Sequence, residues 1–248
     1  MLGDIGSVDT STPNTRYKSQ YLGTWSSIED VDNFLSTCNH SSEYYGATIG
    51  SYVTIKDGTY NKQWVIAGFD CEKNHKASDG NIKDNGYGIC LIPRMSLGNA
   101  VWNPKKCDGY YESEIHKTTL SAVATNLKKV LGSHLVQRNV LLSSARDYYN
   151  NWVASAYTWT TANCTLMSAG QITGTFASNK TKYDDGEANY RLPLFNYETW
   201  SFDTHAWLRG LSGHNGNIDF VYTFITSGSA FAFAGSNSYG LRPLIYIR

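Results

Sequence analysis

The chain has 248 residues, 41% of them hydrophobic, which is enough for one substantial core. Its formal net charge is zero and only 17% of residues are charged, so no basic excess points to nucleic acid or to an anionic membrane surface. The 18 Tyr, 9 Phe and 7 Trp, with 22 Gly and only 5 Pro, suit a β-rich, turn-rich domain whose aromatics serve both packing and contact.

Residues 1–25 are largely polar at their start and read as an N-terminal arm, with the main domain over 26–248. A short leading helix is expected within 26–44. Ile28, Val31, Phe34 and Leu35 share one helical face, and Ser27 with Asp30 has capping-box spacing. Residues 50–70 read as a β-hairpin: Val53 and Ile55 alternate with Tyr52 and Thr54, Asp57 and Gly58 give the turn, and QWVIA at 63–67 returns. Residues 71–85 read as a charged loop, and GICLI at 88–92 as a buried strand stopped by Pro93.

The clearest helix spans 112–131. Ile115, Leu120, Val123, Leu127, Val130 and Leu131 recur at helical spacing, Lys128 and Lys129 sit in the last turn, and Gly132 stops it. Residues 135–144 read as extended or loop structure, Leu166 and Met167 as a core insertion, and 178–191 as a charged loop. The LPLF run at 192–195 should pin the chain back onto the core. Three β-like pieces follow at 219–226, 230–234 and 241–247, the last with Pro243 near its start, where a missing N–H is tolerated.

The five cysteines form no C-x-x-C pair and read as reduced thiols, without a tight Cys/His cluster for structural zinc. No apolar run approaches the ~20 residues of a membrane span. The first residues lack a basic segment followed by an apolar one, so no secretory signal is expected.

Several pieces together resemble the C-type-lectin-like domains of phage and prophage structural proteins. They are GSYVTI at 50–55 with WVIA at 64–67, GYYESEI at 109–115, Leu141 with Leu142, Leu166 with Met167, LPLF at 192–195, Trp207-Leu208-Arg209, and Gly240-Leu241-Arg242-Pro243. Their order spans about residues 45–248. The resemblance implies an α+β, C-type-lectin-like fold: a twisted antiparallel sheet with a few flanking helices and long loops. It also implies a non-enzymatic virion part, a head fibre, decoration or tail-tip protein, assembled in the bacterial host cytoplasm. The arm would contact other virion proteins, the chain would form a homo-oligomer, and the 204–248 face would bind a host cell-surface glycan or protein, or a neighbouring subunit.

Within that implied setting, Trp207, Arg209, Arg242 and Pro243 read as structural anchors. Arg209 and Arg242 stand among apolar neighbours and need carboxylate or carbonyl partners. The aromatic and hydroxyl set between the anchors, Tyr222, Phe224, Thr226, Ser229, Phe231, Phe233, Asn237 and Tyr239, is the candidate ligand- or receptor-binding set, because such side chains give large contact area at low entropy cost. His205 and His214 flank the Trp-Leu-Arg strand as rim residues. Calcium binding is not expected: Trp102-Asn103-Pro104 stands where calcium lectins have Trp-Asn-Asp, and no acidic ligand triplet flanks a proline. No catalytic residue, metal site, cofactor or membrane insertion is assigned. Two alternatives stand beside the leading reading: a soluble enzyme of the formylglycine-generating type, and a coat component that binds nothing.

Overall fold

Capping chemistry starts the first helix where the sequence places it. In the computed structural model, which describes residues 17–38, 47–76, 81–105, 107, 109–143, 157–174, 191–197, 205–215, 218–224 and 230–248, the edge strand β1 (Tyr21–Trp25) leads into α1 (Ile28–Ser36). The Ser27 side chain accepts the Asp30 N–H, and the Asp30 carboxylate accepts the N–H groups of Ser26 and Ser27. Val31 and Leu35 are buried, while Ile28 is 45% exposed and leans over Gly132. Residues 17–20 run beside the core, with Lys18 N–H donating to the Ile49 carbonyl at 2.9 Å.

The expected hairpin forms as β2 (Tyr52–Ile55) and β3 (Lys62–Phe69), in the register Tyr52 opposite Val65. Asp57 Oδ1 accepts the N–H groups of Thr59 and Tyr60, so an Asx-type turn closes it. The segment expected as a charged loop departs from expectation. It folds into a small hairpin, β4 (Asn74–Lys76) with β5 (Ile82–Asp84), and buries Cys71, Glu72, His75 and Asn85. The reason is long-range: partners from elements far along the chain satisfy Glu72 and Asn85. The buried strand at 88–92 is β6 (Ile89–Pro93), followed by β7 (Asn99–Val101).

The long helix begins irregularly. A π-helical turn, Ile115–Leu120, precedes α2 (Ser121–Leu131), which Gly132 ends with a positive φ (+56°) that glycine adopts without strain. Next come the hairpin β8 (Arg138–Ser143) with β9 (Tyr157–Ala162), then β10 (Cys164–Leu166) and the short α3 (Ala169–Thr173). Leu192, Pro193, Leu194 and Phe195 are all buried in a 3₁₀ turn, as the LPLF run required. Most of the 178–191 segment lies outside the described residues. The C-terminal strands are β11 (Ala206–Asn215), β12 (Ile218–Phe224), β13 (Ala230–Ala234), β14 (Ser238–Gly240) and β15 (Pro243–Ile247).

These strands make a mixed α+β architecture with two large sheets rather than one. The first has the order β1-β2-β3-β6-β15-β10, and the second β13-β12-β11-β14-β7. Both are mainly antiparallel, but β1 pairs with β2, and β11 with β14, in parallel. The division arises because the chain crosses between sheets twice at one seam, from β6 to β7 and from β14 to β15. There Leu97 N–H donates to the Leu241 carbonyl (2.9 Å), and Leu241 N–H donates to the Gly98 carbonyl (2.8 Å) and to Ser96 Oγ (2.9 Å). The two crossings therefore satisfy each other's backbone groups.

Arg242 sits at this seam with no exposed surface. Its guanidinium donates to the Pro93 carbonyl from Nη2 (2.7 Å) and Nε (3.2 Å), and from Nη2 to the Arg94 carbonyl. Met in its place keeps the apolar stem and removes those donors, leaving carbonyls buried at the end of β6. Arg242→Met should cost about 3 kcal/mol, read as a lower urea midpoint at unchanged slope; a loss below about 0.5 kcal/mol would contradict this role.

His116, in the π-helical turn, packs its ring 4.9 Å from Tyr110. Burial first, and then the Lys117 charge, hold its imidazole below its ordinary value of 6.5. The unfolded chain therefore binds more protons near that pH than the folded chain does. Stability from this group is complete above about pH 6.5 and is lost as the pH falls toward the folded value. Urea unfolding at several pH values between about 5 and 7 should show a shallower dependence in His116→Gln; an unchanged slope would contradict the sign.

Candidate functional site

The region between the two anchors builds much of the second sheet, and its best-defined surface feature is an aromatic cluster centred on Tyr239. Three backbone arrangements place it. The parallel bridge of Ala206 with Gly240 sets His205 and Trp207 beside β14, and Gly240 N–H donates to the His205 carbonyl at 2.7 Å. A tight turn links β13 to β14, with Asn237 N–H donating to the Ala234 carbonyl at 3.0 Å. The Gly235 carbonyl accepts both the Trp102 and Asn103 N–H groups at 3.0 Å, which fixes that turn against the segment after β7.

Four rings meet there. The Tyr239 and His205 rings stack at 5.5 Å with an interplanar angle of 23°. Trp207 and Phe233 each meet Tyr239 edge-to-face, at 4.9 and 5.3 Å, and His205 meets Phe233 the same way at 5.8 Å. Asn237 Nδ2 donates to the Tyr239 hydroxyl at 3.3 Å. The cluster is graded in depth: Trp207 is buried and donates Nε1–H to the Ala100 carbonyl (2.7 Å), the other three rings are half-buried, and Asn237 is exposed. The result is an apolar platform with a rigid floor and an amide at its rim.

Of the candidate binding residues, Phe233, Asn237 and Tyr239 come together, joined by the rim residue His205. Tyr222 and Phe224 lie on β12, opposite Ala232 and Ala230, and Phe231 lies on β13 opposite Thr223. Thr226 and Ser229 fall outside the described residues. His214 pairs with Asp219 further along β11.

The four anchors, Trp207, Arg209, Arg242 and Pro243, are all buried. Arg209 has no exposed surface; its N–H donates to the Met167 carbonyl (3.0 Å) and its Nη1 to the Leu166 carbonyl (3.3 Å), tying the second sheet to β10 of the first. Pro243 opens β15 opposite Leu166, at the strand's first residue, where its lack of an N–H is harmless.

Sequence reasoning missed a buried polar centre on the first sheet. Glu72, with backbone φ of +57°, accepts the Tyr246 hydroxyl at Oε2 (2.8 Å) and Gln171 Nε2 at Oε1. Gln171 also completes the capping box of α3 with Ser168, and His75 Nδ1 lies 3.8 Å from Glu72 Oε2. Arg138, 2% exposed, stacks over the Tyr246 ring at 4.5 Å and donates to the carbonyls of Asn85, Gly86 (2.8 Å) and Tyr87 (2.9 Å). The nearby Cys90 thiol is pushed well up by burial, with Cys71 and Glu72 adding to the shift. A signal existed for Arg138, an arginine heading the apolar run VLL; none existed for Glu72. Among the described residues, no group of three or more His, Cys, Asp or Glu side chains could hold a metal ion.

Comparison with protein-family models, with curated proteins and with solved structures gives no match. The aromatic platform and the buried polar centre therefore rest on their own chemistry. Glu72→Ala would leave the Tyr246 hydroxyl and the Gln171 amide without their acceptor in the core. The expected loss is about 3 kcal/mol in chemical unfolding, with the far-ultraviolet spectrum kept; a loss under about 1 kcal/mol would contradict a clamp at Glu72.

Proposed function

We propose that this chain is a non-enzymatic binding module of a bacteriophage particle, a head-fibre, decoration or tail-tip protein with a C-type-lectin-like fold. Its N-terminal arm would attach to other virion proteins, and the module would work as a homo-oligomer. The platform of His205, Phe233, Asn237 and Tyr239 would take a host cell-surface ligand. The single observation that supports recognition here is the half-exposed aromatic cluster on a buried Trp207 floor. Ring faces fixed by edge-to-face neighbours lose little entropy on binding and suit the apolar face of a sugar ring, while the Asn237 amide can reach a hydroxyl. This chemistry suits a glycan better than a protein epitope. The phage setting rests on the motif order from residue 50 to residue 243.

The test joins particle labelling to glycan binding. Antibody to this chain should decorate intact phage particles in electron microscopy, and the purified chain should bind a glycan from the host surface. Tyr239→Ala should weaken that binding at least about tenfold, with the buried core still cooperatively folded. Particles that never label would overturn the virion reading; glycan binding that survives Tyr239→Ala would overturn the platform.

A further inference from the structure

A groove of about 260 Å³ lies between the π-helical turn with α2 on one side and Gln137 with residues 161–164 on the other. Leu120 and Ala124 supply apolar surface, and around them stand His116, Lys128, Gln137, Thr161 and Asn163. None of the aromatic-platform residues takes part.

Three independent features make this groove more than a surface irregularity. First, its wall is a π-helical turn, which sets aside regular helix hydrogen bonding at Ile115–Leu120 and so carries a local cost that functional sites often explain. Second, His116 lines the groove, and among the described residues its buried Nδ1 has no hydrogen-bond partner. A buried polar atom without a partner calls for an explanation. Third, the wall is rich in uncommitted polar groups. Among the described residues, the Lys128 ammonium, the Gln137 amide and the Thr161 hydroxyl make no side-chain hydrogen bonds, and Asn163 commits only Nδ2, to the Leu135 carbonyl at 3.0 Å. The neighbouring hydroxyl of Thr125 is already committed to the Ser121 carbonyl at 2.9 Å.

The charge and size of the groove narrow the ligand. Among the described residues that line it, Lys128 is the one with a formal charge, and none is Asp or Glu. Burial holds the His116 imidazole toward its neutral form, able both to donate and to accept. The volume falls just under the ~300 Å³ at which drug-sized sites begin, so a single ring fits and a dinucleotide does not. Cys164 also lines the groove, but burial pushes its thiol far up, away from the thiolate a nucleophile needs.

We propose that this groove binds a single-ring, hydroxyl-bearing molecule carrying one negative charge, a monosaccharide acid in class. Lys128 meets the carboxylate at the rim, Gln137, Thr161 and Asn163 meet hydroxyls, His116 supplies a donor or acceptor at the inner wall, and Leu120 with Ala124 underlies the ring's apolar face. The site is independent of the aromatic platform.

The test uses the whole chain with D-glucuronate as the probe and D-glucose as its uncharged match, followed by the His116 ring resonances in NMR and by calorimetry. Glucuronate should saturate the His116 shift with a dissociation constant on the order of 1 mM. Glucose should bind at least about tenfold more weakly, and Lys128→Gln should bring glucuronate down by a similar factor. Ala124→Phe should fill the groove and abolish the shift, whereas Tyr239→Ala should leave it unchanged. Absence of saturation, equal binding of glucose, or a shift that survives Lys128→Gln would overturn the proposal; this last arm alters only an exposed side chain and so does not depend on whether Ala124→Phe folds.

Discussion

A buried guanidinium has to find acceptors, and this fold is arranged around three that find them in backbone carbonyls. Arg138, Arg209 and Arg242 are among the largest fully buried side chains of the protein. Each reaches a place where a strand ends and leaves carbonyls without ladder partners: Arg242 beyond β6, Arg209 beyond β10, and Arg138 at the loop before β6. The match works in both directions. Unpaired carbonyls in the core are costly, and so is an unsolvated charge; together they offset each other. Lysine could not replace these residues easily, since one ammonium lacks the planar fork that spans neighbouring carbonyls.

The same bonds make one body of two sheets. Without the seam of Leu97, Leu241 and Arg242, β7 and β14 would hang from the first sheet by single covalent connections. With it, the edge of the second sheet is held by backbone bonds and a guanidinium, and Arg209 repeats the connection at β10. Trp207, on the strand that carries Arg209, forms the floor of the aromatic platform. The placement of that platform therefore depends on the buried Arg209 on the same strand, while its other three rings stay half-buried. The first sheet carries a separate polar centre at Glu72, whose carboxylate accepts from donors on α3 and β15.

Local chemistry was legible in the sequence, and long-range satisfaction was not. The capping box at Ser27, the Asp57 turn, the apolar run of β6 and the docking of Leu192 to Phe195 each depend on residues within a few positions, and each forms. The burial of Glu72 depends on Gln171 and Tyr246, so nothing near it distinguishes it from a solvated charge. Likewise, a fold of two sheets rather than one depends on where Ser96 to Gly98 and Leu241 to Arg242 cross, which no periodicity records. The anchor arginines were readable because apolar neighbours imply burial, and burial implies acceptors. In the binding set, Phe233, Asn237 and Tyr239 converge because β13 and β14 are consecutive, whereas the contribution of His205 comes from the parallel bridge of β11 to β14. The His116 groove had no sequence signal beyond helical spacing, which reads Ile115 and Leu120 as core and is silent on the π-helical turn between them.

The central claim, that buried guanidiniums hold the second sheet on the first, is most directly tested by native-state hydrogen exchange on the wild-type chain and Arg209→Met. The account predicts that amides in β11 and β14, including Trp207 and Gly240, lose protection in the variant at denaturant levels where Ile66, Leu91 and Ile245 of the first sheet keep theirs. Equal loss of protection in both sheets, or none in either, would contradict it.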